Sequence, residues 1–208
     1  MNHVLRPAAI ALALLALAPA AFAAPVKYSI DKAHSEAGFE VRHFFSKVHG
    51  RFTDVQGSIV YDDQDPARIS VDASAVAASV STSNERRDGH LKTGDFFDVE
   101  KYPTLTFKSK KAEAAGQGKF SLRGDLTIHG VTKEVVLDVD GPSPEVKDPW
   151  GMTRIGATAS TKIKRSDFGL TWNKVIEAGG VAVGDEVTIT IDVELVKEQP
   201  KAAEPAKK

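Results

Sequence analysis

The chain has 208 residues, balances 27 basic against 28 acidic side chains, and contains no cysteine. Near-neutrality with interspersed signs gives no support for nucleic-acid binding or a polybasic membrane patch. The missing thiols exclude disulfides, a lipidated cysteine and thiol catalysis, and the length suits one domain with a sizeable core.

The first segment reads as a targeting signal rather than as fold. Arg6 supplies a positive start, Ala8 to Ala18 is an unbroken apolar run, and Ala21-Phe22-Ala23 offers the small residues a signal peptidase requires. Cleavage is expected between Ala23 and Ala24, which makes 1–23 a signal peptide and places the mature chain in an oxidising compartment outside the cytoplasm. The apolar run is short for a bilayer span, so an uncleaved anchor is the weaker alternative and no stable membrane insertion is expected. Without Arg6, 26 basic side chains face 28 acidic ones.

Beyond the signal, period-two alternation dominates. After a short strand at Val26–Ile30, weaker alternation at 35–44 and 54–62 leads to a clear pattern at 68–76, where Ile69, Val71, Ala73 and Ala75 share one face. Residues 83–93 do not alternate. Thr82 followed by Glu85 fits a capping box, so a short helix is predicted there, with Asp95 capping one further turn through Phe96 and Phe97. Strands resume at 104–111 and at 119–128, where Phe120, Leu122, Gly124, Leu126 and Ile128 face one way. The pair His129-Gly130 signals a tight hairpin into a strand at 131–140. Two more follow at 153–164 and 187–195, and the Lys-, Ala-, Pro- and Glu-rich stretch 198–208 reads as a disordered tail.

Eight such amphipathic strands joined by short turns predict an all-β chain, one antiparallel eight-stranded barrel over 24–197 with a short helix (about 83–93) near its mouth. A two-sheet sandwich is the competing arrangement, while an outer-membrane barrel would need aromatic girdles that 7% aromatic content does not supply. Several inward positions are small, among them Ala37, Gly57, Ala73, Gly124, Ala157 and Ala159. Small side chains there predict an unfilled interior suited to an apolar ligand, unless they merely fit the taper of a dry barrel.

Four blocks of residues carry a resemblance. Asp31-Lys32-Ala33-His34-Ser35 precedes Phe39-Glu40-Val41-Arg42-His43 and Gly50-Arg51-Phe52. Arg87-Asp88-Gly89-His90-Leu91-Lys92 precedes Asp95-Phe96-Phe97-Asp98, Tyr102-Pro103 and Phe107. Gly124 to Lys133 and then Asp167-Phe168-Gly169 complete the series. In this order the blocks resemble the YceI-like family across residues 26–197. The resemblance implies a lipocalin-like barrel, usually periplasmic, with a hydrophobic cavity for polyisoprenoid or other long-chain amphiphilic ligands, and implies that a homodimer is common.

No nucleophile motif is present, and Gly116-Gln117-Gly118 is a turn rather than a dinucleotide fingerprint, so no cofactor is expected. The histidines at 34, 43, 49, 90 and 129 lack metal-ligand spacing, although distant strands could still assemble a site. His43 is in phase with Phe39 and Val41 and should point inward. Arg87 and His90 share one face of the predicted helix, either as donors to a ligand head group or as a network pinning the helix to the rim. Phe44, Phe45, Phe96, Phe97, Phe107 and Trp172 are the aromatic candidates for the mouth or wall, plain core being their competing role. Three functions follow: a periplasmic lipid-binding protein without catalytic residues, a lipid-directed enzyme using His90 or His43 as acid/base, or a stress-response protein holding an isoprenoid quinone.

Overall fold

The computed structural model describes residues 25–62, 65–116, 118–175 and 181–199. The expected signal peptide 1–23, and the expected tail apart from Glu198 and Gln199, lie outside the described residues.

The first stave of the sheet is built from two strands. β1 (Val26–Ile30) breaks at one 3-10 turn, where Asp31 Oδ1 accepts from the Ala33 N–H at 3.0 Å, and resumes as β2 (Glu36–His43). The chain returns as β3 (Ser46–Phe52) and β4 (Val55–Tyr61), β3 pairing with β2 and β4 with β1. β5 (Ser70–Val76) and the two-residue β6 (Val80–Ser81) form the third stave, followed by helix α1 (Glu85–Leu91). Next come β7 (Thr104–Gly116), β8 (Lys119–Ile128) and β9 (Val131–Asp140), each pairing with the next. The two-residue β10 (Val146–Lys147) edges β11 (Thr153–Lys164), and β12 (Val183–Lys197) is the last strand.

β12 closes the sheet. One of its edges pairs with β11 from Arg154↔Val196 to Lys164↔Glu186, and the other pairs first with β2 and then with β1. All pairings are antiparallel, and the eight staves form a closed barrel as the alternation predicts. Closure gives each stave two neighbours, so no long edge remains to recruit a foreign strand; a sandwich would leave such edges. Among the described residues no helix is long and apolar enough to cross a membrane.

The structure departs from the sequence reading at three places. β3 is absent from the expected set, because Gly50 sits on its inward face between Val48 and Phe52 and dilutes the apolar period. Helix α1 is shorter than 83–93, and its cap is Asn84, whose side chain accepts from the Arg87 N–H at 3.0 Å; the Thr82–Glu85 capping box does not form. Asp95 caps no turn either, since its carboxylate is engaged by His90.

One weak point in the barrel wall is plugged. β9 and β11 pair only over Thr158↔Asp140, Ala159↔Val139 and Ser160↔Asp138 before they diverge. Phe168, on the 3-10 turn Arg165–Phe168, is fully buried beside the gap and packs with Ile128, Ile163 and Leu170. Gly169 ends this turn with φ 78°, a left-handed conformation that glycine adopts without steric cost. The Asp167-Phe168-Gly169 turn thus closes the seam between two staves.

Candidate ligand-binding cavity

The inward faces of the staves do not meet in the middle. They enclose a cavity of about 360 Å³ whose wall is almost wholly aliphatic and aromatic. Voids of this size are exceptional in interiors packed to crystal-like density, and the volume falls in the range of small-molecule sites. The small residues read from the sequence account for much of it: Ala37, Ala73, Ala75, Ala157 and Ala159 all face the space. Gly57 and Gly124 do not. A β-carbon on Gly57 would lie 2.6 Å from Ala73 Cα, and one on Gly124 would lie 2.6 Å from Phe107 Cζ, so backbone and ring already fill those places.

Nine of the residues that the sequence places inward or at the mouth border the cavity. Phe39, Val41 and His43 come from β2, all on its inward phase, and Phe107 comes from β7. Arg87 and His90 come from α1, Phe96 and Phe97 from the turn after it, and Trp172 from the segment before β12. Phe45 is the exception: it stands fully exposed at the two-residue turn between β2 and β3, where Phe44 adopts φ 50° and the chain tip turns the Phe45 ring to solvent. Phe44 is itself partly exposed and stacks edge-on against His43 at 4.6 Å.

Helix α1 and the following turn cap one end of the barrel. Phe97 packs edge-on against Phe52 at 5.2 Å, and Phe52 leans on Phe39 at 5.8 Å, so the turn is continuous with the wall. His90 contacts Phe96 at 5.1 Å and Trp172 at 4.9 Å while its Nε2 pairs with Asp95 Oδ2 at 2.7 Å. Arg87 donates from Nε to Thr82 Oγ1 at 2.7 Å and from Nη2 to the Thr82 carbonyl at 2.9 Å. Asp88 accepts from both the N–H and the hydroxyl of Thr82. The 87–90 block therefore forms a network that pins the helix to the rim, one of the two roles read from the sequence.

Other residues at this end carried weaker sequence signals. Arg165 is in phase with Ile155, Ala157, Ala159 and Ile163 of β11, so the same alternation that selects the wall also selects this cation. It is only 7% exposed. Its donors reach the carbonyls of Gly184 (2.9 Å), Leu170 (2.5 Å), Trp172 (2.9 Å) and Val183 (3.5 Å). Burial pushes the Arg165 guanidinium below its ordinary range, with Asp185 opposing the shift. The alternation also carried no hint of Leu91, which reaches the cavity from α1.

Outside the cavity, Asp31, His34 and Glu194 bring three potential metal-ligating atoms together. Arg154 already sits among them, 2.5 Å from Asp31 and 3.1 Å from Glu194, and its Nε meets Asp148 at 2.7 Å. A guanidinium thus supplies the charge that a cation would bring. His129, read as serving a turn, occupies φ 51° before Gly130 at φ 74°, and its ring meets Tyr102 edge-on at 4.6 Å.

A closed antiparallel barrel with an apolar interior and a helix across one end defines the lipocalin-like class of barrels. Residues 28–195 match the YceI-like domain family. The chain is 42% identical to a UPF0312 protein of Photorhabdus laumondii over 75% of this chain and 81% of that one, and 36% identical to one of Azotobacter vinelandii over 88% and 93%. The Campylobacter jejuni YCEI protein superposes with a TM-score of 0.64 at 35% identity, covering 76% of this chain and 90% of that one. A polyisoprenoid binding domain from Saccharophagus degradans shares the fold at TM-score 0.60 and 17% identity, over 83% and 99% of the two chains. The chain belongs to the YceI-like family.

Proposed function

We propose that the protein is an exported periplasmic binding protein that holds a long-chain apolar or amphiphilic ligand inside the barrel. The observation that carries this reading is the cavity of about 360 Å³, walled by alternating aliphatic residues of all eight staves. Apolar surface removed from water contributes about 25 cal/mol per Å² before association costs, so an alkyl or isoprenoid chain is the natural occupant. The shared fold with a polyisoprenoid binding domain supports the same class of ligand. The apolar run at Ala8–Ala18 and the Ala21-Phe22-Ala23 site support export. The chain would serve lipid carriage, storage or a stress response, without catalysis.

The His90–Asp95 pair is the arrangement that favours a second, enzymatic reading, since a carboxylate-oriented imidazole at the mouth suits acid/base work. A His90→Ala variant that retains ligand while losing turnover would establish it.

The test is native mass spectrometry of the protein purified from its own periplasm, with fragmentation of any adduct. A stoichiometric long-chain adduct supports binding and names the ligand class. A bare mass that persists after lipid supplementation counts against it.

A further inference from the structure

We infer that the occupant is an amphiphile with an anionic head, a carboxylate or a phosphate, held at the α1 end of the cavity by Arg165. This inference rests on the cavity being a ligand site and adds the charge and orientation of what it takes.

Among the described residues, the ionisable side chains bordering the cavity are His43, Arg87, His90 and Arg165, and no Asp or Glu is among them. All four gather at one end. Arg87 and His90 share α1, the His90 ring meets Trp172, Arg165 bonds the Trp172 and Val183 carbonyls, and Val183 pairs with His43. The rest of the wall is apolar but for a few hydroxyls. An amphiphile laid along this axis has one place for its head.

Within the cationic end, the partners differ. Arg87 is committed to Thr82, and His90 to Asp95. Arg165 is surrounded by carbonyl dipoles, which satisfy its N–H groups without cancelling its charge. Asp185 is the acid that acts on it, and both oxygens of Asp185 are already engaged by Ser166, from its N–H at 3.0 Å and its hydroxyl at 2.8 Å. A buried guanidinium without an ion-pair partner is costly, and it stays protonated. Nη2, whose bond to the Val183 carbonyl is the longest of the set at 3.5 Å, keeps a second N–H for a ligand oxygen. His43, paired with Val183 across the sheet and bordering the cavity, places a neighbouring imidazole at the same end. An anionic head supplies the missing counter-charge in a desolvated setting, where charge-assisted hydrogen bonds are strongest. A neutral head of the same length gains only a hydrogen bond.

The experiment compares matched pairs by titration calorimetry at neutral pH below their micelle concentrations: palmitate with hexadecanol, and farnesyl monophosphate with farnesol. Each anion is expected to bind about tenfold or more tightly than its alcohol. Arg165→Gln should remove that preference by lowering the affinity of each anion about tenfold more than that of its alcohol, as a charge effect requires. Equal binding of acid and alcohol by the wild-type protein overturns the inference while leaving the cavity reading intact. Binding of none of the four probes overturns the cavity reading itself. A folded Arg165→Gln protein that keeps the preference overturns the role of Arg165. If Arg165→Gln fails to fold, the wild-type pairs decide the head-group charge and His43→Gln tests the site, a loss of preference supporting it and full retention overturning it.

Discussion

Phe39 and Gly50 face each other across β2 and β3, and the Phe39 ring lies where a side chain at position 50 would stand, with Cε1 and Cε2 2.8 Å from an ideal β-carbon there. The ring belongs to the cavity wall. Glycine at position 50 therefore lets an aromatic fold back onto the sheet instead of into the lumen. Gly50→Ala should drive Phe39 inward, costing about 1 kcal/mol of stability and several-fold in affinity for a long-chain ligand. Gly124→Ala should cost more, about 2–3 kcal/mol, because its β-carbon meets the Lys108 carbonyl oxygen at 2.5 Å as well as Phe107, and backbone yields less than a ring. Denaturant unfolding of both variants checks the ranking; the reverse order would refute it.

Filling the lumen separates binding from folding. Ala73→Leu and Ala157→Leu each add a branched side chain to a wall with open space in front of it. Stability should change by less than about 1 kcal/mol while affinity for a sixteen-carbon chain falls about tenfold or more. Unchanged affinity in both variants would show that the chain lies elsewhere.

Acid should weaken the fold partly through Asp31. Arg154 beside Asp31, with His34 adding to it, lowers the carboxyl to about 2 from an ordinary 3.8. The unfolded chain takes up this proton more readily, so the stabilisation is present above about pH 4 and is lost as pH falls toward 2. Allowing for solvent screening it amounts to about 1–2 kcal/mol. His34 has the opposite sign: Asp31 raises it, so its contribution holds at low pH and fades as pH rises through its folded value. Comparing the wild-type acid unfolding curve with that of Asp31→Asn checks this; identical slopes below pH 4 would exclude a role for Asp31.

The rim helix should loosen independently of the barrel. Asp88→Ala leaves the N–H and hydroxyl of Thr82, a residue only 6% exposed, without their acceptor. A cost of about 1–3 kcal/mol is expected. Hydrogen exchange should quicken in α1 and β6 and stay slow in β8 and β12. Uniform acceleration across all strands would mean that the helix and barrel open together.

Much of the wall was legible in the sequence because a strand's side-chain period is two, whatever its neighbours. Val187 to Leu195, Ile69 to Ala75 and, apart from Gly124, Phe120 to Ile128 line the lumen with the phase that the sequence predicts. The same rule placed His43 inward. Phe45, read as a candidate for the mouth or wall from its aromatic ring alone, stands exposed outside the cavity because the Phe44–Phe45 tip is set by hairpin geometry. The period-two rule missed β3, where Gly50 contributes no hydrophobic signal of its own and takes its meaning from Phe39 across the strand pair.

Arg87 shows the other limit. Its position on α1 follows from local sequence, but whether its donors turn to a ligand or to Thr82 depends on how the loop before the helix returns to the rim. By itself the sequence determined the β class, the inward faces and the small residues that leave room, since these depend on short-range periodicity and side-chain volume. The tertiary structure alone decided that β12 closes the ring, that Phe168 plugs the seam, and that Arg165 is buried among carbonyls at one end. Those outcomes depend on pairings between residues far apart in the chain, and no local pattern encodes which distant partner will satisfy a hydrogen bond or a charge.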